Sequence, residues 1–156
     1  CYPQRHKVSG DLTMVEPSSD HADLRRTAEL YALGADRRDK DLWRQVLAED
    51  CIIEGPGFAI DGREANLGSI EFLATGFRAT VHRVHQCVAI IDGDVATGET
   101  YSTADHLLLG SAAVLVWTIR YQDRWRREDG AWRFTRRTLI VDWEETRPVT
   151  PKGAIA

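Results

Sequence analysis

The chain has 156 residues, 43% of them hydrophobic and 28% charged, which suits one globular domain with its own core. Lys and Arg total 20 against 24 Asp and Glu, a net charge of −4 that weighs against a nucleic-acid-binding role. No apolar stretch approaches the roughly 18 residues needed to cross a membrane; the longest, residues 107–119, is interrupted by Gly110, Ser111 and Thr118.

Residues 1–18 are polar and hold Pro3, Gly10 and Pro17, the pattern of a mobile or loosely docked arm. The leading Cys1 in place of Met reads as the start of a trimmed chain or fragment, and no signal-peptide pattern is recognised. Ser19 or Asp20 can cap a helix, with Asp23 suited to its first turn. Leu24, Ala28, Tyr31 and Ala35 then recur at helical spacing, and that apolar face ends beside Asp36. Asp39 caps a second, short helix carrying Leu42, Trp43, Val46 and Leu47. Cys51-Ile52-Ile53 reads as a short strand, ended by Gly55-Pro56-Gly57, with a turn at Asp61-Gly62. Residues 63–75 read as a third helix, with Leu67, Ile70 and Leu73 or Ala74 on one side.

From Thr80 the period changes to two. Residues 80–91 and 95–106 form a hairpin about Asp92-Gly93-Asp94. A third strand spans about 112–126, and a turn at Glu128-Asp129-Gly130 leads into a fourth at 131–142. Three helices followed by a meander of long strands predict an α+β fold, with the helices on one face of a curved antiparallel sheet. The predicted divisions are an N-terminal arm (1–18), one domain (19–147) and an irregular C-terminal tail (148–156), placed to cover the open end of the sheet.

The cysteines Cys1, Cys51 and Cys87 have neither metal-ligand spacing nor a disulfide pattern. Cys51 and Cys87 lie in apolar runs as reduced core residues, which favours a cytoplasmic location. Gly55-Pro56-Gly57 is a turn and not a phosphate loop, because no Gly-Lys-Ser/Thr follows. His82 and His85 alternate across a strand, so they and His106 form no ready metal set, and no Gly-x-Ser-x-Gly elbow is present. The late arginines, Arg124, Arg126, Arg127, Arg133, Arg136 and Arg137, read as a solvated sheet face.

Asp36 and His82 stand out, because a carboxylate can fix the tautomer of an imidazole and stabilise its protonated form. Spacing alone does not bring them together. The order of several segments resembles the nuclear-transport-factor-2-like superfamily, in its SnoaL-like and scytalone-dehydratase-like branch. Those segments are Tyr31-Ala32-Leu33-Gly34-Ala35-Asp36-Arg37-Arg38-Asp39 and Ile53-Glu54-Gly55-Pro56-Gly57, then His82. Ile91-Asp92-Gly93-Asp94-Val95-Ala96-Thr97-Gly98-Glu99 and Arg126-Arg127-Glu128-Asp129-Gly130-Ala131-Trp132-Arg133-Phe134 complete the set. The resemblance spans about residues 22–147. It implies a cone-like α+β barrel whose bent sheet encloses a deep, mostly apolar pocket.

The resemblance also implies chemistry. Relatives with an Asp and a His at the positions of Asp36 and His82 use them as a dyad without cofactor or metal. Scytalone dehydratase eliminates water in this way, and a hexachlorocyclohexane dehydrochlorinase eliminates HCl. A bile-acid dehydratase is similar and has a Tyr where this chain has Tyr31. His106 matches a second pocket histidine of scytalone dehydratase, and Arg137 aligns with a pocket arginine of the dehydrochlorinase. The chain departs from scytalone dehydratase at Ala35 and Gly55, which replace two tyrosines, and at Ile119, which replaces a serine. Scytalone itself is therefore not the expected substrate.

The expected catalytic residues are Asp36, His82, His106 and Tyr31. Each has a plainer alternative: a helix-end cap for Asp36, a structural strand histidine for His82, a surface strand-end residue for His106 and core packing for Tyr31. Trp117, Ile119 and Tyr121 share one side of the third strand as pocket wall or core. Val84, with Gln86 and Val88, is expected on the inward side beside His82. Arg137 is read as an ion-pair residue in preference to a substrate anchor. The leading expectation is a cofactor-independent dehydratase of a cyclic or polyketide-like hydroxy-carbonyl compound, in which His106 or Tyr31 hydrogen-bonds the enolate or protonates the leaving group. The alternatives are a ketosteroid-isomerase-like isomerase or aldol cyclase with a carboxylate base, and a non-catalytic binder of an apolar small molecule. The expected partners are an apolar or aromatic small-molecule substrate and further copies of the chain, as a dimer or trimer.

Overall fold

The computed structural model describes residues 19–152. The expected N-terminal arm and the last residues of the expected tail lie outside the described residues.

Helix α1 (Ser19–Arg37) buries Leu24, Thr27, Ala28, Tyr31, Ala32, Gly34 and Ala35, the stripe foreseen from helical spacing. Asp20 lies in its first turn, and its carboxylate accepts from Arg127 (2.7 Å) and from Trp132 Nε1 (3.3 Å), tying the helix to the far hairpin. Asp39 caps helix α2 (Lys40–Val46), accepting from the backbone N–H groups of Asp41 and Leu42 at 2.9 and 3.1 Å. Trp43 of α2 stacks on Tyr31 with ring centroids 4.5 Å apart and donates its indole N–H to the Tyr31 carbonyl. Gly34 permits that approach, because a Cβ there would lie 2.5 Å from the indole.

Strand β1 (Leu47–Gly55) and the short strand β2 (Phe58–Asp61) form a hairpin about the Gly55-Pro56-Gly57 break. Nothing in the local sequence signals β2, whose four residues are too few to show a period. Helix α3 (Arg63–Gly76) follows, and its buried Asn66 donates to the carbonyls of Cys51, Ile60 and Gly62, fastening helix to hairpin.

Strands β3 (Phe77–Asp92), β4 (Val95–Leu108), β5 (Ala113–Glu128) and β6 (Ala131–Pro148) are the predicted meander, longer than their alternation indicated. The six strands form one open sheet in the order β2-β1-β6-β5-β4-β3. It is mixed and not wholly antiparallel: β1 runs parallel to β6, because α3 and the meander return the chain in the same sense. The C-terminal residues expected to be irregular instead continue β6 to Pro148 opposite Ala113. Their side chains are largely exposed, so no apolar alternation betrayed the strand. Val149 N–H then donates to the Ala112 carbonyl, and residues 149–152 do not line the main cavity.

A bulge in β3 redirects its second half. Val84 pairs with Ser102 and Cys87 with Thr100, so one extra residue sits in β3. Arg25 of α1 donates to the carbonyls of His85 (2.5 Å) and Val84 (3.4 Å), binding groups at the bulge. Beyond it Cys87, Ala89 and Ile91 pack on the core, while Val88 is 65% exposed. The expectation that Gln86 and Val88 share the inward side with His82 is therefore wrong: the added residue inverts the alternation. Gly98 opposes this stretch, and a Cβ there would meet the Val88 carbonyl oxygen at 2.0 Å.

A full charge is buried in the core. Arg137 is 1% exposed and donates two hydrogen bonds to Asp123, at 2.8 and 3.0 Å. Thr100 donates to the same carboxylate at 2.7 Å. The guanidinium lies over the rings of Tyr31, Tyr121 and Phe134, with its central carbon 4.4, 3.9 and 4.1 Å from their centroids. Burial pushes the Asp123 carboxyl upward, and the guanidinium with the three donated hydrogen bonds opposes it. Arg137 thus departs from the solvated arginine face but keeps its ion-pair role, whereas Arg126, Arg127 and Arg136 pair nearer the surface with Asp50, Asp20 and Glu54. Asp123→Ala is expected to cost about 3–5 kcal/mol in urea unfolding by stranding the guanidinium. The paired replacement Asp123→Leu with Arg137→Met should cost much less; equal losses would show that the charges themselves matter little.

Candidate active site

The helices and the inner sheet face enclose a cavity of about 490 Å³. Tyr31, Ala35 and Trp43 reach it from α1 and α2, and Ile53, Phe58 and Ile60 from the β1–β2 hairpin. Ala65, Gly68, Ser69 and Phe72 form the α3 wall, with Leu73 lining it while also packing on the Leu67 and Ile70 core. His82, His106, Trp117, Ile119, Tyr121 and Leu139 line the sheet side. Phe58 and Phe72 are 41% and 67% exposed and mark the rim. The lining is mostly apolar with a few polar groups, the usual make-up of a small-molecule site.

The polar groups converge where α1 ends. Asp36 follows the buried face of α1, and His82 lies on β3 before the bulge, with its ring toward the helix. His82 Nδ1 lies 2.6 Å from Asp36 Oδ1, while Asp36 Oδ2 accepts the backbone N–H of His82 at 2.8 Å. A carboxylate at Nδ1 holds the imidazole proton there and leaves Nε2 with its lone pair. Asp36 itself does not line the cavity, so His82 stands between carboxylate and ligand space.

Two further residues complete this arrangement. Thr80 Oγ1 donates to Asp36 Oδ1 at 3.0 Å and accepts from Arg38 Nη1 at 2.8 Å. Arg38 also donates to the Ala35 and Leu73 carbonyls, joining the end of α1 to α3. Its backbone is left-handed at φ 57°, a sparsely populated conformation for a residue with a Cβ. Thr80 was legible in principle, since it lies two residues before His82 on the same strand face; Arg38 was not, because its role depends on that turn.

His106 is 2% exposed, with its ring 4.6 Å from Phe77, 4.8 Å from Trp117 and 5.8 Å from His82, centroid to centroid. Its Nδ1 lies 3.3 Å from the Leu115 carbonyl oxygen. Burial, and then the neighbouring His82, lower its pKa from 6.5 to about 4. The surface alternative for His106 is thereby excluded. Burial also holds the Tyr31 and Tyr121 hydroxyls above the ordinary tyrosine range, so both remain protonated.

The SnoaL-like domain family matches residues 16–138. The chain belongs to this family. Among solved structures, this SnoaL-like domain is similar to a candidate scytalone dehydratase from Novosphingobium aromaticivorans, 23% identical over 87% of this chain and 91% of that one, with a TM-score of 0.74. A type 2 hexachlorocyclohexane dehydrochlorinase, LinA, is 16% identical over 86% and 95% of the two chains, with a TM-score of 0.79. A Mycobacterium tuberculosis protein of unknown function is 28% identical over 80% and 72%, with a TM-score of 0.73. No curated protein matches the chain. The first two likenesses establish a shared fold.

Of the residues singled out from sequence, Tyr31, His82, His106, Trp117, Ile119 and Tyr121 line the cavity together, with Asp36 directly behind His82. Val84 does not reach it; it packs on the core beside a small enclosed void bounded by Thr100, Tyr121 and Arg137. Packing on the core takes Val84 out of the cavity lining, so its place as pocket wall is corrected. Arg137 lies beneath the tyrosine rings instead of lining the cavity. His85 points outward and meets Thr103. Among the described residues no group of three or more His, Cys, Asp or Glu side chains could hold a metal ion. No described helix is long and apolar enough to cross a membrane.

The lowered His106 pKa has a consequence for stability. The unfolded chain binds a proton at this histidine as pH falls through 6.5, whereas the folded chain resists until about 4. Stability should therefore fall across that window and level below it, by roughly 3 kcal/mol in full from this residue. Urea titrations at the two ends should show a smaller pH-dependent loss in His106→Phe than in the parent protein. An unchanged loss would place the titrating group elsewhere.

Proposed function

We propose that this domain is a cofactor-independent lyase, a dehydratase acting on a cyclic or polyketide-like hydroxy-carbonyl compound. The observation that carries the reading is the 2.6 Å contact between His82 Nδ1 and Asp36 Oδ1, with the histidine facing an apolar cavity and the carboxylate behind it. His82 Nε2 removes the proton α to the carbonyl, and Asp36 stabilises the resulting imidazolium. The electron pair of the C–H bond becomes the new C–C double bond through the enolate, and the C–O bond breaks. The departing hydroxide takes a proton from the His82 imidazolium and leaves as water. Tyr31 and Tyr121 can donate to the enolate oxygen, with the Arg137 charge beneath their rings favouring negative charge above them. The names of two similar structures, a candidate scytalone dehydratase and a dehydrochlorinase, agree with an elimination.

An isomerase or cyclase using a bare carboxylate base fits less well. Both Asp36 oxygens are engaged by His82, Thr80 or backbone, and the carboxylate stays outside the cavity lining. Turnover of a panel of cyclic β-hydroxy ketones, followed by enone absorbance, tests the assignment. His82→Gln should lower kcat by about 10²–10⁴-fold, and Asp36→Asn should also reduce it. Activity that survives His82→Gln but vanishes in Asp36→Asn would favour the carboxylate-base reading. Tight ligand binding without turnover of any hydroxy ketone would leave a binding domain.

A further inference from the structure

His106 is held in one tautomer by its surroundings. A carbonyl oxygen only accepts, so the Nδ1 atom facing Leu115 O carries the ring proton. Phe77 and Trp117 pack against the ring, and turning it over would put carbon where the hydrogen bond is made. Burial keeps the second nitrogen unprotonated near neutral pH. Nε2 therefore presents a lone pair and has no proton to give. Among the described residues the ring makes no second hydrogen bond, and His106 lines the cavity. This is the reverse of the donor role its sequence position suggested.

An acceptor here cannot assist departure of a hydroxyl. It draws the hydroxyl proton toward itself and raises the negative charge on oxygen, which strengthens the hold on carbon. It suits a hydroxyl that the substrate keeps.

We propose that His106 is a specificity residue whose Nε2 accepts a hydrogen bond from a retained phenolic or enolic hydroxyl, so that the cavity selects hydroxylated aromatic or fused-ring ketones over their O-alkylated counterparts. This rests on the reading of the cavity as the lyase site and narrows its substrate class. Three kinds of polar group then divide the ligand. His82 faces the acidic C–H, the tyrosines face the carbonyl oxygen, and His106 faces the retained hydroxyl.

The test uses β-naphthol and its methyl ether as probes of the whole protein, by calorimetric titration and by nitrogen NMR of histidine-labelled samples. β-Naphthol should bind about ten- to a hundredfold more tightly than the ether, because the ether leaves the buried Nε2 unpaired. The free protein should show His106 as the Nδ1–H tautomer, and its Nε2 resonance should move with β-naphthol and not with the ether. His106→Phe should abolish the discrimination while still binding the ether. Equal affinities, an Nε2–H tautomer, a preference that persists in His106→Phe, or failure of both probes to bind would each overturn the proposal. If His106→Phe does not fold, the parent protein's tautomer and probe-dependent shift decide alone. Failure of the lyase reading is separate: hydroxyl selection would persist while hydroxy-ketone turnover was absent or indifferent to His82→Gln.

Discussion

A guanidinium sealed from water needs a counter-charge, hydrogen-bond acceptors and polarisable neighbours, and Arg137 draws each from a different part of the chain. Asp123 on β5 supplies the carboxylate, and Thr100 on β4 steadies it. Tyr31 on α1, Tyr121 on β5 and Phe134 on β6 supply the rings. An isolated buried charge is so costly that helix and sheet must meet in one register to satisfy this one. These contacts join α1 to β4, β5 and β6 through Tyr31, shortly before Asp36 and the end of the helix. The cavity floor is the other face of the same cluster, since Tyr31 and Tyr121 touch Arg137 on one side and ligand space on the other.

The end of α1 is thus brought to β3 with little freedom left. Asp36 closes the junction by taking the backbone N–H and the ring of His82 together with the Thr80 hydroxyl. Thr80 relays a hydrogen bond from Arg38 to this carboxylate. The strained Arg38 backbone is the counterpart of this order, an unfavourable conformation held by contacts to three neighbouring segments. The same rigidity sets the character of the two histidines. One is backed by a carboxylate that holds the proton on Nδ1; the other is backed by a peptide carbonyl between aromatic rings, where burial favours its neutral form.

The fold class was readable because its elements differ in period. The stripe from Leu24 to Ala35, the Asp39 cap and the change to alternation at Thr80 each record a local physical requirement. Less was readable where a local pattern was interrupted or absent. The β3 bulge inverts the facing of Val88, the four-residue β2 is too short to show a period, and the end of β6 is exposed. Resemblance placed Asp36 near His82, and the hydrogen-bonded contact agrees with it. It also drew attention to Arg137, which the fold places under the pocket floor instead of in its wall.

By itself the sequence determined the helices, the meander, the turns and the inward side of β3 as far as the bulge, because these depend on neighbours a few residues apart. It also determined that one of few ionisable groups on the inward strand face would be His82. Only the tertiary structure decided which carboxylate serves which cation, Asp36 with His82 and Asp123 with Arg137, since those partners lie 46 and 14 residues apart. It alone decided the tautomer of His106, because the Leu115 carbonyl that fixes it belongs to a neighbouring strand. Side-chain periodicity reports burial, but protonation and hydrogen-bond direction are set by what the fold places across the gap.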